Sequence, residues 1–75
     1  MTILIDPTSA TPLYEQIVQQ IQRQILSGTL PQGELLPGVR TLAADLSVSI
    51  ITTRRAYEEL ERDGYIKTLP GRGSI

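Results

Sequence analysis

Two amphipathic stretches of this chain stand almost back to back, and the short break between them, Ser47-Val48-Ser49, constrains its fold more than any other feature. Before the break, Val39, Leu42, Ala43 and Leu46 form an apolar stripe at helical spacing, which predicts a helix over about 39–46. After it, Thr53, Ala56, Tyr57 and Leu60 follow the i, i+3, i+4, i+7 pattern. Ser49 is a strong N-cap and Gly64 a stop, so this helix covers about 49–63. Two helices joined by so short a break, the second exposing basic and small polar groups, make a helix-turn-helix. Leu42, Ala43, Val48, Thr53 and Ala56 fall where the helices cross, and Ala43 and Ala56 are small as a close crossing demands. Thr53 is expected to pack its methyl and bond its hydroxyl to a carbonyl one turn earlier. Ser47 stands where the turn often uses glycine, at a cost of about 1 kcal/mol for a left-handed non-glycine residue.

The rest of the chain supplies what such a pair packs against. Residues 1–11 read as an extended arm, because Asp6-Pro7 and Thr11-Pro12 disfavour helix at the residue before each proline. The domain proper then spans 12–75. Its first helix is expected from about Pro12 to Ser27, with Thr11 as cap, Pro12 in the first helical position and Gly28 as the left-handed stop. Leu13, Ile17, Ile21 and Ile25 recur every four residues, and the glutamine face of Gln16, Gln19, Gln20 and Gln24 is most simply solvated. Leu35-Leu36, ahead of Pro37-Gly38, allows only a very short strand. Past Gly64, Tyr65-Ile66-Lys67-Thr68 has strand character, Pro70-Gly71-Arg72-Gly73 is turn chemistry, and Ser74-Ile75 starts a return strand. The fold class is therefore α+β, mainly α: three helices and a small β-hairpin wing over 68–74.

Composition excludes most chemistry. The 75 residues hold no cysteine and no histidine, which removes disulfides, thiol nucleophiles, imidazole bases and nearly every transition-metal site; no cofactor or metal is expected. Glu58, Glu59 and Glu61 lie on a helix surface with no nucleophile or pocket to serve, so an enzyme is not expected. No apolar run could span a bilayer or serve as a signal peptide, and the expectation is a cytoplasmic protein that engages no membrane. The net charge of −1 speaks mildly against nucleic-acid binding. Distribution qualifies that sum, since six of the seven basic residues lie from Val39 onward: Arg40, Arg54, Arg55, Arg62, Lys67 and Arg72. They are interleaved with Asp45, Glu58, Glu59, Glu61 and Asp63, and a phosphate backbone responds to local field over about 10 Å.

On the third helix, burial of Thr53, Ala56, Tyr57 and Leu60 leaves Ile50, Ile51, Arg54, Arg55 and Glu58 pointing mainly outward. Arg54 is placed either for a bidentate contact to guanine O6 and N7 or for an i,i+4 ion pair with Glu58; Arg55 has the same alternative in Glu59. Ile50 and Ile51 either touch thymine methyls or fold in part under the core. Ser49, Thr52 and the free amides at this helix's start suit a phosphate, though Ser49 also caps. Arg40, in the first turn of the second helix, stands where that helix would cross a DNA backbone. At the hairpin tip, Arg72 between Gly71 and Gly73 either reaches a minor groove or is an ordinary solvated turn.

Several of these segments together resemble a known family. Pro12-Leu13-Tyr14-Glu15-Gln16-Ile17, Gly28 with Pro31-Gln32-Gly33, Leu36-Pro37-Gly38-Val39-Arg40-Thr41-Leu42-Ala43, Arg54-Arg55-Ala56-Tyr57-Glu58-Glu59-Leu60 through Gly64, and Gly71-Arg72-Gly73 are similar to the amino-terminal domain of GntR-family bacterial transcription regulators. The likeness runs from Ile3 on, and the Ser49 to Thr53 segment is most like the YtrA-like branch. It implies a winged helix-turn-helix that binds double-stranded DNA, with Arg40, Ser49, Thr52, Arg54 and Gly71, and Arg72 beside it, at the interface. One departure is plain. Many members have arginine where Ile50 stands and threonine or asparagine at Ile51, so their base preference does not transfer. The family also implies a repressor that forms a homodimer on a two-fold operator, with dimerisation and small-molecule effector binding in a carboxy-terminal region this chain lacks. The rival reading is a winged helix used as a protein-interaction module.

Overall fold

The computed structural model describes every residue except Arg72. Three helices, α1 (Leu13–Ser27), α2 (Val39–Leu46) and α3 (Ile50–Arg62), are followed by a hairpin of β1 (Thr68–Leu69) and β2 (Gly73–Ser74). The strands are antiparallel, with Thr68 opposite Ser74 and Leu69 opposite Gly73. Lys67 and Ile75 exchange both backbone bonds, at 2.7 and 2.9 Å, and so lengthen the ladder. This is the winged helix-turn-helix architecture expected from the sequence.

Helix α3 packs on both α1 and α2, and its inner face holds the core together. Ala56, Tyr57 and Leu60 meet Ile17, Val18 and Ile21 of α1 and Leu42 of α2; Leu30, Leu36, Ile66 and, from the arm, Ile3 close the cluster. Thr53 is fully buried, and its hydroxyl donates to the Ser49 carbonyl oxygen at 3.2 Å, so the hydroxyl is satisfied inside the helix it belongs to. Ser47 ends α2 in the left-handed region, φ 56° and ψ 40°. Its amide and that of Val48 bond back to the Ala44 and Ala43 carbonyls at 3.2 and 3.0 Å, which turns the chain within three residues.

Four local expectations need correction. Pro12 is the N-cap of α1 and not its first helical residue, with ψ 148° and no side-chain cap; Thr11 instead offers its carbonyl to the Gln16 side chain. The glutamine face is not simply solvated, as Gln16, at 7% exposure, belongs to the interior. The hairpin begins later than Tyr65, because Gly64 turns left-handed and Tyr65 still donates to the Leu60 carbonyl at 2.9 Å, finishing the helix end. Leu35-Leu36 forms no strand, yet the Leu36 amide donates to the Ser74 carbonyl at 2.8 Å and ties the segment before α2 to the wing.

The glutamines instead bind the arm. Gln16 accepts from the Asp6 amide and donates to the Asp6 carbonyl, both at 2.9 Å; Gln20 does the same for Leu4 at 2.9 and 2.7 Å; Gln24 donates to the Thr2 carbonyl at 2.6 Å. The match is geometric. Four helical residues rise about 6 Å and two extended residues about 6.6 Å, so a glutamine every fourth position meets every second arm residue. Ile3 and Ile5, on the alternate side of the arm, then face the core. A turn at Asp6 ends the strap, and hydrogen bonds from the Thr8 hydroxyl and amide hold the Asp6 carboxyl below its ordinary range.

Candidate nucleic-acid interface

The surface opposite the core is built by the first two turns of α3 and the first turn of α2. Ser49 caps α3 by accepting from the Thr52 amide at 2.9 Å, and its own hydroxyl proton goes to the Thr52 hydroxyl oxygen at 2.7 Å. With Ser49 fully occupied, the spare donor of this pair is the Thr52 hydroxyl. The Ile50 and Ile51 amides are those that a helical first turn leaves open, at the positive end of the helix dipole.

The outward side chains divide by what else they touch. Ile51 is 76% exposed, whereas Ile50 is half-buried. Arg54 is exposed and, among the described residues, forms no ion pair with Glu58 or any other carboxylate. Arg55 differs from it. Its guanidinium lies 3.8 Å from the centre of the Tyr14 ring on α1, and its Nε is 3.9 Å from Glu59 Oε1, so this arginine bridges the α1–α3 seam while its side chain stays exposed. The stack is absent from the sequence reading, because nothing in the spacing of α3 indicates an aromatic partner from another helix.

Arg40 is exposed on the first turn of α2, which contains no acidic residue, and it too makes no salt bridge among the described residues. Its placement depends on a tie that sequence reasoning also missed: the Tyr57 hydroxyl donates to the Pro37 carbonyl at 2.6 Å, fixing the entrance of α2 to the middle of α3. Burial pushes the Tyr57 phenol up to about 12. At the wing, Gly71 and Gly73 have φ of 72° and 88°, a region in which a side chain is strained. The Glu61 carboxylate accepts from the Thr68 amide at 3.0 Å and holds the wing against the end of α3. Arg72, expected at the tip, lies outside the described residues.

Arg40, Thr52 and Arg54 are thus carried by two helices whose inner faces are locked together, with Ser49 capping α3. The fold and this surface define a winged helix-turn-helix domain. The family profile described as "Bacterial regulatory proteins, gntR family" matches residues 13–75, and the chain belongs to that family, whose members are transcription regulators and not enzymes. It is 50% identical over 72 residues to the HTH-type transcriptional repressor YtrA of Bacillus subtilis, covering 96% of this chain and 55% of that relative. Among solved structures it superposes on YtrA of Sulfolobus acidocaldarius, a GntR-family transcription factor, with a TM-score of 0.92 and 40% identity, over 97% of this chain and 62% of that one. A transcriptional antiterminator from Listeria monocytogenes gives a TM-score of 0.95 and 39% identity, over 100% of this chain and 56% of that one. The chain therefore spans a little over half the length of these relatives. Among the described residues no helix is long and apolar enough to cross a membrane.

Proposed function

We propose that this chain is the DNA-binding domain, residues 12–75 with the arm 1–11 strapped to it, of a cytoplasmic bacterial transcription repressor. Helix α3 enters the major groove. Arg54 addresses a base edge, Ile50 and Ile51 lie at the groove floor, and Thr52 with the open amides beside the Ser49 cap holds a phosphate. Arg40 contacts the backbone where α2 crosses it, and Arg55 acts chiefly by keeping α3 seated on α1. Gly71 and Arg72 bring the wing, 68–74, to the adjacent minor groove. The observation that carries the reading is the pair Arg40 and Arg54: two exposed arginines on neighbouring helices, with no intramolecular anion partner among the described residues. The whole regulator would be a homodimer on a two-fold operator, with dimerisation and a small-molecule effector site in a region beyond this domain.

Titration of the chain with random-sequence duplex at several salt concentrations tests the reading. Log affinity should fall linearly with log salt, by about 0.9 per phosphate neutralised. No binding at low salt, or binding insensitive to salt, would leave the protein-interaction reading in its place.

A further inference from the structure

We propose that Ile51 reads a pyrimidine 5-methyl group in the major groove, the methyl of thymine or of 5-methylcytosine, and is a specificity-determining residue of this domain. The inference rests on the DNA-binding reading above and deepens it.

Ile51 is the second residue of α3, and 76% of it is exposed. Nothing inside the domain accounts for an isoleucine there. Its β-branch is mildly unfavourable in a helix, and it joins neither the core nor the residues packed against the core. The structure separates it from Ile50, which is half-buried, so the two isoleucines that are adjacent in sequence differ in what they offer a ligand.

The surroundings select the occupant. The other exposed large apolar side chains are Met1 and Leu4 on the arm, Leu26 at the end of α1 and Leu35 ahead of α2; among the described residues none shares the outer face of α2 or α3 with Ile51. A protein partner would need a wider apolar patch than one side chain. Here the neighbours are Ser49 and Thr52 at the helix start and Arg54 and Arg55 one turn on, a polar and cationic frame that suits a polyanion. Within the major groove the apolar group on a base edge is the 5-methyl of a pyrimidine. One apolar side chain inside a cationic frame matches one methyl inside a polar groove.

The test uses the 75-residue chain and duplexes selected by it from random sequence at low salt. Each thymine of the selected site is replaced in turn by deoxyuridine, which deletes only the methyl. At one thymine per half-site the affinity should fall about four-fold, the value of one buried methyl group. Cytosine at that position should bind more weakly than 5-methylcytosine by a similar factor, which distinguishes a demand for the methyl from a demand for the thymine ring. In the Ile51→Ala chain, thymine and deoxyuridine duplexes should bind equally, while Ile51→Val should retain part of the difference. Circular dichroism should show Ile51→Ala melting as the parent does. If duplex binds but no methyl matters, or the methyl effect survives Ile51→Ala, the proposal is overturned while the DNA-binding reading stands. A loss of folding in Ile51→Ala would equally overturn it, by giving the side chain a structural role. Absence of duplex binding by the parent chain would instead remove the reading on which it rests.

Discussion

The Tyr57 hydroxyl and the Pro37 carbonyl oxygen, 20 residues apart in sequence, are joined at 2.6 Å, so the crossing of α2 and α3 is fixed by a polar tie as well as by packing. The tie lies three residues before Arg40 and one turn after Arg54, so it holds the two uncommitted arginines in register. It also has a pH signature. In the folded domain the phenol keeps its proton up to about pH 12, while in the unfolded chain it loses it near 10. Above pH 10 the unfolded state binds fewer protons than the folded state, so the stability that burial of the neutral phenol contributes is complete below pH 10 and is lost as pH rises toward 12. Urea unfolding should show Tyr57→Phe destabilised by about 1 kcal/mol at neutral pH. The difference between parent and variant should shrink through that alkaline window; a constant difference would contradict the assignment.

The glutamine strap predicts that the arm is part of the folding unit. Gln16 makes three hydrogen bonds at 2.9 Å from a buried position, so Gln16→Ala leaves the Asp6 amide and the Thr11 carbonyl without their partner and the Asp6 carbonyl with only the 3.3 Å bond from the Ser9 amide. A loss of about 2 kcal/mol is expected, against well under 1 kcal/mol for Gln19→Ala, whose side chain is exposed. Hydrogen exchange should report the same event locally, with the Leu4 and Asp6 amides losing protection in Gln20→Ala and Gln16→Ala respectively.

Ser47 carries the one positive φ among described non-glycine residues, 56°. Replacing it with glycine removes the steric cost of that conformation and raises the entropy of the unfolded chain, two effects of opposite sign. Relief of strain is the larger, and Ser47→Gly should gain about 0.5 kcal/mol, read as a higher urea midpoint with an unchanged slope. Ser47→Val should lose more than 1 kcal/mol, because a β-branched residue fits the left-handed region worst.

Much of this domain was legible in the sequence because its governing signals are local. The stripe at Thr53, Ala56, Tyr57 and Leu60, the cap at Ser49 and the stop at Gly64 each act within a turn or two, and each stands where expected. The hydroxyl bond of Thr53 and the left-handed Ser47 were legible for the same reason. Pairings across long sequence separations were not. Gln20 with Leu4, Arg55 with Tyr14, Tyr57 with Pro37 and Leu36 with Ser74 follow from how the helices pack, and a single chain does not display that packing. A signal for the strap was present. Glutamines at 16, 20 and 24 keep the helical four-residue step, which matches an extended segment read every second residue, but a polar helical face more often meets solvent.

Arg40 and Arg54 should fail differently when removed. Arg54 stands one turn into α3 on the face beside Ile51, where a guanidinium reaches base edges; Arg40, on the first turn of α2, stands where the helix meets phosphate. Arg54→Ala should therefore reduce the preference for a selected site over a site mutated at one guanine by about 10- to 100-fold, while binding to random duplex changes little. Arg40→Ala should weaken selected and random duplexes by the same factor and lower the salt slope by about 1. Arg55→Ala should in addition lower the melting temperature, since its guanidinium lies over the Tyr14 ring and beside Glu59. Parallel titrations of the three variants against both duplexes at two salt concentrations would separate base reading, phosphate contact and helix seating. Equal loss of site preference in Arg40→Ala and Arg54→Ala would show that the two helices do not divide the work in this way.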